Sequence, residues 1–230
     1  MAAAGSGERL GAGGPKAFVP LAGRPMVEWS IDAFRACDSV RSIVVACPPG
    51  HVGDLGGHDL GVVPGGATRA QSVANALEAV GTGCVAIHDA ARPLLTPELV
   101  EPLVADLAAN PEAAGVIAAA PVTDTVKRAT SSAKGQSDVQ STLDRPLTIE
   151  RTEDRSRLWG AQTPQVFRTE ALREALAAAE RPEEATDEAM LVEWNGGTVL
   201  IRPVAAENLK VTTPLDLRVA ELLLADRARA

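Results

Sequence analysis

The feature that most constrains this chain is its rhythm. Short runs rich in Val, Ile and Ala alternate with longer stretches of helical periodicity. That alternation specifies strands joined through helices, the βαβ unit, and therefore a sheet covered by helices. The runs at 42–47, 60–63, 84–88, 115–119 and 198–204 read as strands. Helices are expected at 26–36, 68–80, 97–109, 169–179, 187–194 and 214–228, the last opening with Pro214 after a Thr, a good start signal. Apolar residues make up 46% of the chain but aromatics only 3%, with no Tyr, so the core is built from Ala, Val, Leu and Ile. Such a core suits helices packed on a parallel sheet. The 230 residues fit one large α/β domain. One stretch breaks the rhythm: 124–157 is polar and rich in Ser, Thr, Asp and Arg, and is expected to project as an arm with a strand near 148–151.

Several function classes are disfavoured. A net charge of −8 argues against broad nucleic-acid binding, although a few convergent cations suffice to hold a phosphate in a pocket. Cys37, Cys47 and Cys84 are odd in number and lack metal-ligand spacing, as do His51, His58 and His88. Reduced, buried thiols are expected. No apolar run approaches the ~20 residues of a membrane span, and the start lacks the charged and apolar segments of a signal peptide. The expectation is a soluble cytoplasmic protein without a membrane or nucleic-acid partner.

Four segments carry candidate chemistry. In the N-terminal loop, Ala3, Ala4, Gly5, Ser6 and Gly7 let backbone approach a ligand and aim N–H groups at phosphate oxygens. Arg9 and Lys16 add two cations to the same loop, in the pattern G-x-G-x-R-x5-P-K, which suits a triphosphate. It is neither a Walker A loop nor a dinucleotide fingerprint. Gly65, Gly66 and Ser72 stand at a strand end opening a helix, where a base edge can be read, Ser72 donating from the first turns. Asp89 ends an apolar strand and can bind a metal ion or accept ligand hydroxyls; Arg92, after two small residues, can pair with Asp89 or a phosphate. Lys210 precedes a helix N-terminus, where ammonium and helix end can act on one anion.

Together the segments AAGSGERLGAGGPK, GGATRAQSV, HDAARPLLTPELV, APVTDTVKR, LWGAQTPQVF, TDEAMLVE and NLKVTTPLDL cover nearly the whole chain in order. In this the chain resembles the 2-C-methyl-D-erythritol 4-phosphate cytidylyltransferases. The resemblance implies a mostly parallel, Rossmann-like α/β sheet of the nucleotide-diphospho-sugar-transferase kind, with a β-arm at about 124–157 through which two copies make a homodimer. It implies a single nucleotidyltransferase domain over 1–230, with no fused cyclodiphosphate synthase. It further implies cytidylyl transfer from CTP to the sugar phosphate with release of pyrophosphate, and magnesium accompanying the CTP. No direct protein ligation of the ion is expected, Asp89 being the one possible ligand. Arg9, Lys16, Lys210 and Arg155 take the catalytic roles; Ala90 joins the nucleotide-binding set. Asp89, Arg92, Thr125, Arg155, Thr163, Thr186 and Lys210 meet the acceptor, Arg155 being chosen over Arg145 because it lies just before Leu158-Trp159.

Two departures matter. Ala67 stands where many members carry a polar or acidic residue. The family also has an apolar first strand running into the Ala-Ala-Gly loop, whereas only Met1-Ala2 precede it here, so the anchoring strand is expected to be absent and the natural coding region to start earlier. Ribitol-5-phosphate cytidylyltransferases share much of the pattern, and a nucleotide-binding regulator that has lost catalysis is the alternative from another class.

Overall fold

A computed structural model of the chain describes residues 1–5, 7, 10, 14–55, 60–130 and 146–229. The chain divides into two compact units, 1–119 with 161–230 and 120–160.

In the larger unit the chain first turns through a tight hairpin, β1 (Pro20–Leu21) and β2 (Arg24–Pro25). Ala22 and Gly23 form its tip, both at positive φ. Helix α1 (Met26–Arg35) buries Val27, Ile31 and Phe34, one stripe of its surface. Strands β3 (Ile43–Cys47) and β4 (Leu60–Pro64) pair in parallel, and α2 (Arg69–Leu77) follows β4. After β5 (Cys84–Ile87) comes α3 (Pro97–Ala109), which begins with its Pro at the first position. Strand β6 (Gly115–Pro121) runs out to the smaller unit. There β7 (Lys127–Ala129) pairs antiparallel with β8 (Ile149–Thr152), one residue beyond the range expected from the sequence. Every residue of the β7–β8 ribbon is exposed, and Glu153 ties it with ion pairs to Arg128 at 2.6 Å and Arg151 at 3.1 Å.

The return path is a ten-residue strand, β9 (Trp159–Arg168), followed by α4 (Thr169–Ala178), α5 (Glu188–Trp194), β10 (Val199–Pro203) and α6 (Pro214–Arg227). The sheet order is β10-β6-β9-β5, with β10 parallel to β6 and β9 antiparallel to β5. Hydropathy alternation does not single out β9, because Gln162, Thr163, Pro164 and Gln165 interrupt it. Proline in particular argues against a central strand. The polar side chains among them are nevertheless buried, each held by partners described below. Where β6 passes β9, Gly115 makes room for Phe167: a Cβ on Gly115 would lie 2.3 Å from the ring. Among the apolar clusters, one gathers α1 and α3 around Val45, one gathers α2, α4 and α5 around Ile117 and Phe167, and one packs α6 through Ala220 and Leu224 on Leu21, Met26 and Leu94.

The expectation of a missing anchoring strand is corrected at its C-terminal end. Ala2 bridges Ala46 on one side and Asp89 on the other, both in parallel. The Met1 amino nitrogen donates to Val44 O at 2.6 Å, Ala46 N to Met1 O at 2.9 Å, and Ala3 N to Ala46 O at 2.8 Å. On the other side Ala2 N donates to His88 O at 2.8 Å and Ala90 N to Ala2 O at 3.0 Å. These bonds join β4-β3 to β5 through residues 1–3, so the Ala-Ala-Gly loop is tethered on both sides. Beyond Met1, between β3 and β5, lies an apolar cavity of about 240 Å³ walled by Phe34, Val44, Leu77, Val85 and Val166.

Candidate nucleotide-binding site

At the carboxyl ends of β3, β4 and β5 the larger unit opens into a cleft of about 630 Å³. That is the position where open α/β sheets bind ligands, and the volume lies within the range of small-molecule sites. One wall is the N-terminal loop. Gly7 has φ +77°, and a Cβ there would press on Gly14 O at 3.0 Å. Lys16 N donates to Gly5 O at 3.1 Å, which folds the loop back and brings Lys16 to the cleft wall beside Ala3, Ala4, Gly5 and Gly7. Ser6 and Arg9 lie outside the described residues.

The facing wall is the β4–α2 turn. Gly65 is obligatory there, since a Cβ would fall 2.4 Å from the Ala4 methyl group. The Ser72 hydroxyl donates to Thr68 O at 2.9 Å and accepts from Gly66 N at 3.0 Å. Its hydrogen is thus already used to shape the turn, which corrects the expectation that it donates to a base. The Ala67 N–H is likewise taken, by Gln71 Oε1 at 3.1 Å.

The floor is Asp89, the only acid lining the cleft among the described residues, with Ala90 beside it. Its Oδ1 accepts from Arg69 Nη2 at 3.0 Å and Nε at 3.1 Å, and its Oδ2 accepts from Lys210 Nζ at 2.6 Å. Burial pushes the Asp89 carboxyl upward, but Arg69 and Lys210 outweigh it and hold it well below the usual carboxylate range. Its backbone is pinned as well. The Thr163 hydroxyl accepts from Asp89 N at 3.0 Å and contacts His88 Nδ1 at 3.1 Å, while His88 Nε2 lies 3.1 Å from Arg92 O. A carbonyl can only accept, so Nε2 carries the hydrogen and Thr163 donates to Nδ1. Burial lowers the His88 pKa to about 3, so the ring is neutral.

Lys210 comes from a segment stitched into place. Asn208 Nδ2 donates to Gln162 Oε1 at 3.0 Å and to Thr163 O at 2.8 Å, and Val211 N donates to Ala91 O at 2.8 Å. Arg92 contributes here: its Nη1 donates to Asn208 O at 2.7 Å. The partner of Asp89 is therefore Arg69, and Arg92 holds the segment that carries Lys210. The helix-end reading of Lys210 is also corrected. The start of α6 is closed by a capping box in which Asp216 Oδ2 accepts from Thr212 N and Thr213 N, both at 2.8 Å, so these amides are turned inward.

Other sequence-expected residues lie elsewhere. Thr186 is exposed ahead of α5, its hydroxyl against Met190 Sδ at 3.7 Å. Thr125 and Arg155 belong to the smaller unit, where Arg155 Nη1 donates to Thr123 O. Sequence reasoning marks the segments holding Arg69 and Glu188 but assigns neither residue a role. The only sign is an ionisable residue at the start of each helix, and their contact spans 119 positions.

A model of the 2-C-methyl-D-erythritol 4-phosphate cytidylyltransferase (IspD) family matches residues 1–226. The chain belongs to that family. A curated relative with this name from Burkholderia multivorans is 39% identical over 99% of the chain and 95% of the relative. One from Frankia casuarinae is 42% identical over 97% of the chain and 79% of its own length. Among solved structures, the cytidylyltransferase of this name from Thermus thermophilus superposes with a TM-score of 0.73 at 37% identity, covering 92% of this chain and 94% of that one. The Francisella tularensis protein gives 0.77 at 26% identity, covering 96% and 95%. The fold is that of the nucleotide-diphospho-sugar transferases, as expected from the sequence, and the activity class is nucleotidyl transfer.

Proposed function

We propose that this chain transfers the cytidylyl group of CTP to 2-C-methyl-D-erythritol 4-phosphate, giving 4-diphosphocytidyl-2-C-methyl-D-erythritol and pyrophosphate. The observation that carries the reading is the convergence of Lys16, Lys210 and two glycine-bearing turns on one cleft, in a chain of this family. An acceptor phosphate oxygen attacks the α-phosphorus in line. The bond from that phosphorus to the bridging oxygen breaks, and pyrophosphate leaves with its electron pair. Such transfers depend on positioning and electrostatic stabilisation, which Lys16 and Lys210, with Arg9, supply. Gly65 and Gly66, whose N–H groups donate to Cys47 O and the Ser72 hydroxyl, offer backbone carbonyls to the base; Asp89 and Ala90 face the sugar; Thr163 and Arg92 act from behind by fixing Asp89 and Lys210, and Thr186 belongs to the acceptor side.

Magnesium, if bound with the triphosphate, would supply neutralisation of part of its charge. Among the described residues no group of three or more His, Cys, Asp or Glu could cage an ion. Asp89 is the one acid lining the cleft among the described residues, and with Arg69 on one of its oxygens and Lys210 on the other, an ion would be held chiefly by the ligand's own oxygens. A homodimer through the arm is also proposed, each arm supplying Thr125 and Arg155 to its partner. Support comes from Ile149, 59% exposed on a ribbon with no buried face, because a lone two-stranded ribbon is marginal in water. No helix of the described residues is long and apolar enough to cross a membrane, and we place the enzyme in the cytoplasm.

The test is pyrophosphate release from CTP with methylerythritol phosphate against ribitol phosphate as acceptor. Release with the former, reduced by roughly a hundredfold or more in Lys16→Ala, is expected, the scale seen when one oxyanion-type donor is lost. Preference for ribitol phosphate, or CTP binding without release, overturns the reading.

A further inference from the structure

Asp89 and Lys210 make an ion pair at 2.6 Å in the cleft, and that pair poses a problem. A lysine drawn onto a phosphate loosens its hold on the carboxylate, even with three N–H donors to share, and a buried carboxylate left without compensation is expensive. Asp89 is only 8% exposed, so the charge must be met from another side. Arg69 meets it, with two N–H groups on the oxygen that Lys210 does not use.

Arg69 is itself fixed from behind. Its Nη1 donates to Glu188 Oε1 at 2.5 Å, and Glu188 is 1% exposed. The other oxygen, Glu188 Oε2, is buried with no hydrogen-bond partner. An acid buried at this expense, with one oxygen unsatisfied and the other on Arg69, has the guanidinium as its evident purpose. The start of α5 holds it in place: Asp187 Oδ1 accepts from Met190 N at 3.0 Å, and Gln165 donates to Asp187 Oδ2 at 2.8 Å. Lys210 differs in kind. Its side chain is 41% exposed and carries one ammonium on a flexible stem.

We infer that Arg69 and Glu188 are positioning residues that release Lys210: Arg69, clamped by Glu188, keeps Asp89 compensated so that Lys210 can pass from Asp89 to the phosphate of the incoming nucleotide. In the resting cluster Arg69 pairs with both Asp89 and Glu188, and Lys210 pairs with Asp89 alone. When Lys210 leaves, the guanidinium stays, and the exchange is one ion pair for another within the same cleft. This rests on the cytidylyltransferase reading for the identity of the nucleotide, but not for the exchange itself.

A double-mutant cycle with Lys210 tests it. Arg69→Gln is expected to lower kcat by roughly thirtyfold or more while moving the KM for CTP by less than about threefold, since binding by the glycine turns is untouched. In a Lys210→Ala background the same change should lower activity by less than about threefold. Equal losses in both backgrounds mark a merely structural role and overturn the inference. A readout without turnover is the acetylation rate of Lys210 in the nucleotide-free enzyme, followed by peptide mass spectrometry. Arg69→Gln should slow it about threefold, because Asp89 then has Lys210 alone; an unchanged or faster rate overturns the inference. Glu188→Gln retains an acceptor for Arg69 and should keep both behaviours near wild type, whereas Glu188→Ala should resemble Arg69→Gln. Failure of Glu188→Gln to fold, read by circular dichroism, also counts against it. If the parent enzyme releases no pyrophosphate, the functional reading fails, and the acetylation rates still decide the exchange.

Discussion

Gly65 and Ala4 touch across the cleft, one from each wall, and neither can change size alone. A methyl at Gly65 lies 2.4 Å from the Ala4 Cβ, so Gly65→Ala should push the walls apart. Overpacking of this kind typically destabilises by about 1–3 kcal/mol, and the KM for CTP should rise by roughly tenfold, the factor that corresponds to about 1.4 kcal/mol. Combining Gly65→Ala with Ala4→Gly should restore most of the affinity; steady-state kinetics of the pair checks this, and no rescue would mean the contact is not what matters. Thr163 sits at a second such junction. Thr163→Val deprives the Asp89 N–H and His88 Nδ1 of their partner, both buried. At about 1–3 kcal/mol for each of the two unsatisfied groups, urea unfolding should show a loss of about 2–6 kcal/mol, with activity falling as Asp89 shifts. Lys16 and Gly65 were legible from glycine-marked turns, Asp89 from its place at the end of an apolar strand and Lys210 from its place before a helix; Lys16, Asp89 and Lys210 line the cleft and Gly65 borders it. Arg69 and Glu188 were not, because a contact across 119 positions leaves no periodicity to read.

Most strands and helices follow from alternation and caps, and their bounds fall within a few residues of the sequence reading. Helix α6 illustrates why. Thr213 and Pro214 announce its start, and the capping box with Asp216 completes it. Thr213→Ala should lower stability by about 1 kcal/mol. Asp216→Ala should lower the melting temperature further, because Oδ2 also receives Thr212 N and Thr212 Oγ1, the latter at 2.6 Å. Those bonds, led by the Thr212 hydroxyl, hold the Asp216 pKa down to about 2. Since the folded value is depressed, the contribution is complete above the unfolded value of 3.8 and fades as pH falls towards 2. Thermal melts of both variants at neutral and acidic pH check the order. Strand β9 escaped the same logic because its polar side chains serve as fasteners: Gln162 for Asn208, Thr163 for Asp89 and Gln165 for α5. A strand whose buried face is partly polar has no hydropathy signature.

For the molecule as a whole, acid acts on groups that folding holds uncharged. Burial lowers the Met1 ammonium pKa from 8.0 to about 6. The unfolded chain therefore binds more protons across that window, and stability is full above about pH 8 and declines as pH falls to about 6. The fall from 8.0 to about 6 corresponds to roughly 2–3 kcal/mol, to be read from urea unfolding at the two ends of the window. An N-acetylated chain, which cannot titrate there, should lose this slope. His88 adds to the trend at lower pH: neutral in the fold down to about 3, it withdraws stability as pH drops below its unfolded value of 6.5. The buried Met1 nitrogen has a practical corollary for anyone handling the protein. Residues joined to it would enter the slot between β3 and β5, where the cavity is walled by Phe34, Val44, Val85 and Val166, so apolar residues suit that position and a polyhistidine tag does not. Arg229 near the opposite end is open to solvent, and a purification handle belongs on that side.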